Sequence, residues 1–320
     1  MQALKKPIGI TVAVILLIMC LISWYWSREP DLIDLPTASE APVVGVATAS
    51  MLIKSVDVLL DKPGGYLSND KMPPSVFLDN MPNWEFGVLQ QVRDLAKALR
   101  NDFSRSQTQS LADKDLEEAE PKFNVNSFAW LFPSAEGEYK DGREGLQNYL
   151  DSLQDTSKQN AQFYARADNL NEWLSLVEKR LGSLSQRLSA AKPQVRVNTD
   201  LAGDKNAEQS TQASPQVVTK TSWFEIDDNF FEARGTAWAL IHYLRAAEID
   251  FREVLIDKNA LVSLQQIIRE LEATQQPIRS LMILNGSGLG MFANHSLVMS
   301  SYITRANAAI SDLRTLLADG

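Results

Sequence analysis

Residues 8–26 read IGITVAVILLIMCLISWYW and contain no charged side chain. As a helix the run is about 28 Å long, at ~1.5 Å per residue, which matches the ~30 Å hydrocarbon core of a bilayer. No amphipathic pattern runs through it, so it does not read as the one-sided helix of a soluble core. Trp24, Tyr25 and Trp26 close it with an aromatic cluster suited to the headgroup level. The preceding MQALKK is basic, as a secretory signal requires, but SWYWSREP lacks the small residues of a cleavage site. Cys20 likewise follows Ile18 and Met19 rather than the small residues of a lipoprotein signal. The sequence therefore predicts an uncleaved signal anchor at Ile8–Trp26, with the lipid bilayer as its first partner. Lys5 and Lys6 precede the span and only Arg28 follows closely, so the positive-inside rule keeps a tail of residues 1–7 in the cytoplasm. In a bacterium the rest of the chain is then expected to face the periplasm.

Net charge is −9 over 320 residues, and both lysines ahead of the span are lost when the rest is taken alone. Such a chain, without a basic stripe, does not suit nucleic acid, whose phosphates need clustered Lys and Arg. It is also repelled by anionic lipid. The single cysteine excludes an intrachain disulfide and any cysteine-rich metal site.

Beyond the span the pattern is helical. Residues 27–47, with Pro30, Pro36 and Pro42, read as a linker into a domain of residues 48–320. Leu52, Val56, Leu59 and Leu60 mark a helix over Thr48–Lys62, with Thr48 or Ser50 as N-cap and Pro63-Gly64-Gly65 as stop. Val88 to Phe103 is apolar at helical spacing, with Asn83 as N-cap. A short acidic helix ends before Pro121. From Phe163 to Leu188 the apolar steps alternate four and three, and a similar repeat upstream predicts one long coiled-coil-like helix over about residues 135–191. Its phase slips by one residue at Asn160–Phe163, which predicts local overwinding. Residues 192–222 have the composition of a disordered internal linker. Asp227–Ile256 is apolar on several faces, as a central helix is. Helices over Lys258–Gln275 and from about Met291 complete the chain. No alternating strand pattern of useful length occurs, so the fold class is all-α: an N-terminal transmembrane helix followed by a helical bundle.

Few residues suggest chemistry. NGSGLG, with Gly286, Gly288 and Gly290, resembles a phosphate loop, but no parallel sheet exists to host it and no Lys-Ser or Lys-Thr follows. A helix–helix connection explains it, with Asn294 or Ser296 starting the last helix; no nucleotide is expected. His242 and His295 lack the companion ligands of a zinc site, so no metal and no cofactor is expected. Asp79 and Glu85 flank Trp84, and Asp227 and Asp228 follow Trp223 and Phe224; acids rimmed by aromatics are what a glycan-cleaving cleft uses. Helix N-terminal acids interacting with the macrodipole account for them equally well. Asp79 and Glu85 are thus the catalytic candidates. Tyr66, Asp70, Trp84, Asn285, Asn294 and His295 are the ligand-binding candidates.

Three blocks, PGGYLSND, PPSVFLDNMPNWEFGVL and NGSGLGMFANHSLVMSSYITRANAAI, resemble an uncharacterised family of proteobacterial inner-membrane proteins known only as a domain of unknown function. The resemblance spans most of the chain and implies a Gram-negative inner-membrane protein with one span. It implies no activity, cofactor or catalytic residue. Two function classes stay open. One is a structural or protein-interaction module of the cell envelope with an envelope protein as partner. The other is a membrane-anchored periplasmic enzyme acting on envelope glycan. A sensor role is disfavoured by a cytoplasmic tail of about seven residues.

Overall fold

The computed structural model describes residues 2–34, 43–106, 111–155, 157, 160–197, 216–280, 282–287 and 291–319. Ten α-helices and one two-stranded sheet occur among them. Helix α1 (Gln2–Trp26) contains the apolar run, and over Gly9–Trp26 no residue is fully buried, Trp26 alone packing partly against the core. It is long and apolar enough to cross a membrane.

The domain is built around α7 (Ile226–Asp250), which carries buried residues on every face. It packs on α2 (Val46–Asp61), α3 (Asn80–Ala98), α6 (Ala167–Ser189), α9 (Leu261–Ala273) and α10 (His295–Ala318). The α3–α7 contact is the most extensive, because glycines let the two backbones touch. A Cβ on Gly235 would stand 2.0 Å from the Trp84 carbonyl oxygen, and one on Gly87 would stand 2.2 Å from that of Glu232. Trp84 and Trp238 then meet edge to face at 5.3 Å.

The one long helix expected over residues 135–191 is instead two, α5 (Ala135–Gln154) and α6, with extended chain over residues 160–166. The phase slip marks this break rather than an overwound turn. Phe163 keeps the apolar periodicity going, but it is held by tertiary contacts, with Phe103 at 5.2 Å and Phe251 at 5.6 Å. The Tyr149 hydroxyl donates to the Gln162 carbonyl at 2.8 Å, and the Tyr164 N–H to that of Phe103 at 2.6 Å. The halves serve different neighbours. Helix α5 packs on α2 and on α4 (Lys114–Phe123), whereas the leucine seam of α6 meets α10 of the same chain.

Helix starts also differ from the sequence pattern. Helix α2 begins at Val46, not Thr48, and its cap comes from the far end of α7. Asp250 accepts from the Gly45 N–H at 2.8 Å, the Thr48 N–H at 2.7 Å and the Thr48 hydroxyl at 2.6 Å. Gly45 has φ +93°, and a Cβ there would run into the Phe163 ring. Helix α3 is capped by Asp79 rather than Asn83. Its first turn accommodates Pro82, whose missing N–H would have had no helical partner there. Helix α4 runs through Pro121, and Arg93 satisfies its end by donating to the Phe123 and Val125 carbonyls at 2.6 and 3.0 Å. Asn294 caps α10 by accepting from the Leu297 N–H. The ends of the internal linker pair as an antiparallel ribbon, β1 (Gln194–Val197) with β2 (Gln216–Thr219). Residues 198–215 of that linker, and residues 35–42 of the first one, lie outside the described residues.

The glycine crossing is directly testable. Gly235→Ala forces backbone apart and is expected to destabilise the domain by about 1–3 kcal/mol, as overpacking does. Gly182→Ala, whose Cβ would meet only the Asn307 side chain at 3.7 Å, is expected to stabilise by a few tenths of a kcal/mol to ~1 kcal/mol through helix propensity. Urea unfolding of the two variants beside the parent checks both signs.

Candidate functional site at the junction of apolar helix and domain

The chain leaving α1 does not hang free. Over residues 28–34 it is extended and lies along α7, and three residues of α7 spaced by four receive it. Two extended residues advance about 6.6 Å, and four helical residues about 6 Å. Alternate positions of the segment therefore stay in step with Arg234, Trp238 and His242.

Arg234 forms the first rung. Its Nε lies 2.8 Å from both carboxylate oxygens of Glu29, and Nη2 lies 2.6 Å from Oε2. Its Nη1 donates to the Thr274 and Gln276 carbonyls at 2.7 and 3.0 Å, at the end of α9. The guanidinium is buried, so its fork must be filled, and these four acceptors fill it. At the second rung the Trp238 indole donates to the Asp31 carbonyl at 3.2 Å. At the third, the Ile33 N–H donates to His242 Nε2 at 2.8 Å, while Nδ1 lies 2.6 Å from the Trp238 carbonyl. Acceptance at Nε2 fixes the neutral tautomer with its proton on Nδ1. Burial pulls the His242 pKa down to about 4, with the Trp238 carbonyl opposing and Arg245 and Lys54 assisting.

Beside the rungs lies a cleft of about 910 Å³, between residues 24–32 and the surface formed by Asn80, Asp227, Phe231, Met282 and Ile283. A second cleft of about 510 Å³ lies around Asn83, Arg187, Asp228 and Glu232. Arg187 pairs there with Glu232 and donates to Asn229 at 2.7 Å.

The sequence candidates fall into separate neighbourhoods. Glu85 is fully buried and pairs with buried Lys62. It accepts from the Leu67 and Ser68 N–H groups at 2.8 and 2.9 Å and from the Ser68 hydroxyl at 2.5 Å. Lys62 also donates to the Gly65 carbonyl. The carboxylate thus pins the Pro63–Asn69 loop onto α3 and lines neither of these clefts. Tyr66 is buried against Tyr139 at 5.4 Å, and desolvation pushes its phenol well above the ordinary range. Asp70 is half-buried beyond that loop, and Trp84 is buried against Trp238.

Asp79 is exposed at the start of α3 and accepts from the Asn80 N–H at 2.9 Å. Its neighbour is Asp228, which accepts from Asn83 Nδ2 at 2.6 Å. Desolvation, then the charges of Asp227 and Asp79, raise Asp228 to about 6. The structure therefore brings together members of two acid pairs, Asp79 and Asp228, and leaves Glu85 apart.

Asn285, Asn294 and His295 do come together, in a closed loop. Asn285 and Asn294 form an isolated bridge, and Asn294 Nδ2 donates to Asn285 Oδ1 at 2.9 Å and to the Gly286 carbonyl at 2.8 Å. Asn285 donates to the Ala191 carbonyl at 2.8 Å, and His295 Nδ1 accepts from the Leu284 N–H at 3.0 Å. These side chains hold the turn that delivers α10. A Cβ on Gly286 would stand 2.1 Å from the Phe292 carbonyl oxygen, which is why glycine occupies this turn. Gly288 and Gly290 lie outside the described residues. Among the described residues no group of three or more His, Cys, Asp or Glu is placed to hold a metal ion.

Compared with known families, residues 1–320 match the model described as "Uncharacterized protein conserved in bacteria (DUF2333)". The chain belongs to this family. No curated protein and no solved structure matches it. The DUF2333 match runs over the apolar helix, the three rungs and both clefts. The rungs escaped sequence analysis, because Arg234, Trp238 and His242 share a helix face with nothing in the linear pattern to name their partners. The spacing of four was the available signal.

Two measurements probe these groups. Glu85→Gln leaves Lys62 buried without its counter-charge and is expected to cost about 3–5 kcal/mol. The pair Glu85→Gln with Lys62→Met is expected to recover much of that in urea unfolding. For His242, the ordinary pKa of 6.5 exceeds the folded value of about 4. The unfolded chain thus holds more protons between these values, and stability present above pH ~6.5 is lost as pH falls toward ~4, on the order of 3 kcal/mol at full extent. Urea midpoints measured between pH 7 and 5 are expected to fall for the parent and to flatten in His242→Gln.

Proposed function

We propose that this chain is a single-pass inner-membrane protein whose helical domain faces the periplasm and serves as a structural or protein-interaction module of the cell envelope. The observation that carries this reading is the ladder of Arg234, Trp238 and His242. It fixes the domain directly on the end of the apolar helix. A flexible tether would let a domain reach substrates at varying distances; here the anchor and the domain move together from Glu29 onward. Fixed presentation suits docking of another envelope protein. The exposed apolar face of α1 supports the anchor, since Ile10, Leu17 and Leu21 are exposed among the described residues. Lys5 and Lys6 support the orientation.

The Asp79–Asp228 pair favours a second reading, an envelope glycan hydrolase with Asp228 as its protonated acid. Purification from membranes in mild detergent, with a tag after Gly320, separates the two. A reproducible partner in near-equal amount is expected; a lone monomer at native expression overturns the module. Release of peptidoglycan fragments by that preparation, abolished in Asp228→Asn, would establish the hydrolase instead.

A further inference from the structure

Outside α1, every strongly exposed aromatic side chain among the described residues lies on one of four connections. Phe77 is on the one before α3, with Met72 beside it in sequence. Phe128, Trp130 and Phe132 are on the one before α5, where Phe132 is 100% exposed. Trp223 and Phe224 precede α7, and Phe292, with Met282 and Met291, precedes α10. Water gives no reason to put large apolar groups on so many tips of one molecule.

These connections meet where α1 enters the domain. Trp24, in the last turn of α1, shares its cleft with Asn80, Asp227 and Met282. Trp223 shares a smaller cleft with the same Asp227 and Met282. The Trp26 ring lies against Gly64, where a Cβ would come within 2.8 Å of it. From that loop, Asn69 Nδ2 donates to the Ala129 carbonyl at 3.0 Å, which ties in the Phe128–Phe132 stretch. Trp24 and Tyr25 are themselves exposed.

We infer that these loops form an apolar rim by which the domain sits in the interface of the same bilayer that α1 crosses. This rests on the reading of α1 as a span. The occupant follows from continuity, because Trp24 belongs at headgroup level and the rim begins at the cleft it lines. The ladder keeps that relation fixed. Aromatic and methionine side chains are the groups that enter this layer. Besides the Arg234–Glu29 pair, the cleft beside Trp24 carries Asp31 and Asp227 against Arg28 alone, so attraction to anionic headgroups is not the driving force. The rim suits a zwitterionic surface, and its seating is insensitive to salt. The acidic balance that opposes lying on anionic lipid thus sets which lipid is accepted.

The test uses the full chain in nanodiscs of zwitterionic lipid, in a Cys20→Ser background, with a fluorophore on single cysteines. Phe132→Cys, Phe224→Cys and Phe292→Cys report the rim, Ile15→Cys the span, and Val262→Cys an exposed helix face. Several-fold stronger quenching by doxyl-labelled lipid than by aqueous iodide is expected at the rim and at position 15, with the reverse at position 262. Strong lipid quenching at position 15 together with water-like behaviour at the rim overturns the rim alone. Water-like behaviour at position 15 overturns the span reading and the rim with it. Rim labels shielded from both quenchers show a protein-covered face and overturn the lipid assignment.

Discussion

A helix buried on every side must find partners for each polar group it carries, and α7 carries three that matter: Arg234, His242 and Asp250. An unpaired guanidinium or carboxylate in such a place costs several kcal/mol, so the fold is arranged around their satisfaction. All three are answered by the chain between the apolar helix and α2. Glu29 meets Arg234 across 205 positions, the Ile33 N–H meets His242 across 209, and the start of α2 meets Asp250 across 202 or more. The burial of α7 is in turn made feasible by the glycines that let α3 lie against it.

That arrangement turns what looks like a linker into a structural element. Residues 29–33 make no strand pairing, yet each of their regular contacts is with a defined α7 side chain. The connection owes its order to the match between an extended rise per two residues and a helical rise per four. An apolar helix joined in this way holds a set orientation to the domain, as a helix on a free linker does not.

The apolar helix, the all-α class and most helix positions were legible because they depend on local composition and periodicity. The seam of α6 was readable from its leucines; that it meets α10 of the same chain was not. The break between α5 and α6 was not, because Phe163 continues the apolar spacing while belonging to a cluster with Phe103 and Phe251. Caps made within a few residues, as at Asn294, follow from sequence; a cap supplied by Asp250 to Gly45 and Thr48 does not. Of the candidate residues, Glu85 carried the right chemistry for catalysis but sits in a closed ion pair. The acid with the shifted proton affinity, Asp228, owes that property to neighbours from other elements. Burial and charge proximity are tertiary quantities, and single-sequence patterns do not encode them.

The Asp250 cap has a consequence for the order in which the molecule is made. A chain synthesised from its N-terminus delivers the apolar helix, residues 28–34 and α2 long before residue 234 exists. Until α7 arrives, Gly45 and Thr48 lack the Asp250 carboxylate and Glu29 lacks the Arg234 guanidinium. Contacts spanning some two hundred residues impose a large loop-closure cost and slow the final step. The end of the domain next to the apolar helix, first to be made, is therefore the last to be completed, and until then the unfinished chain leaves Glu29 and Ile33 without the α7 side chains that hold them.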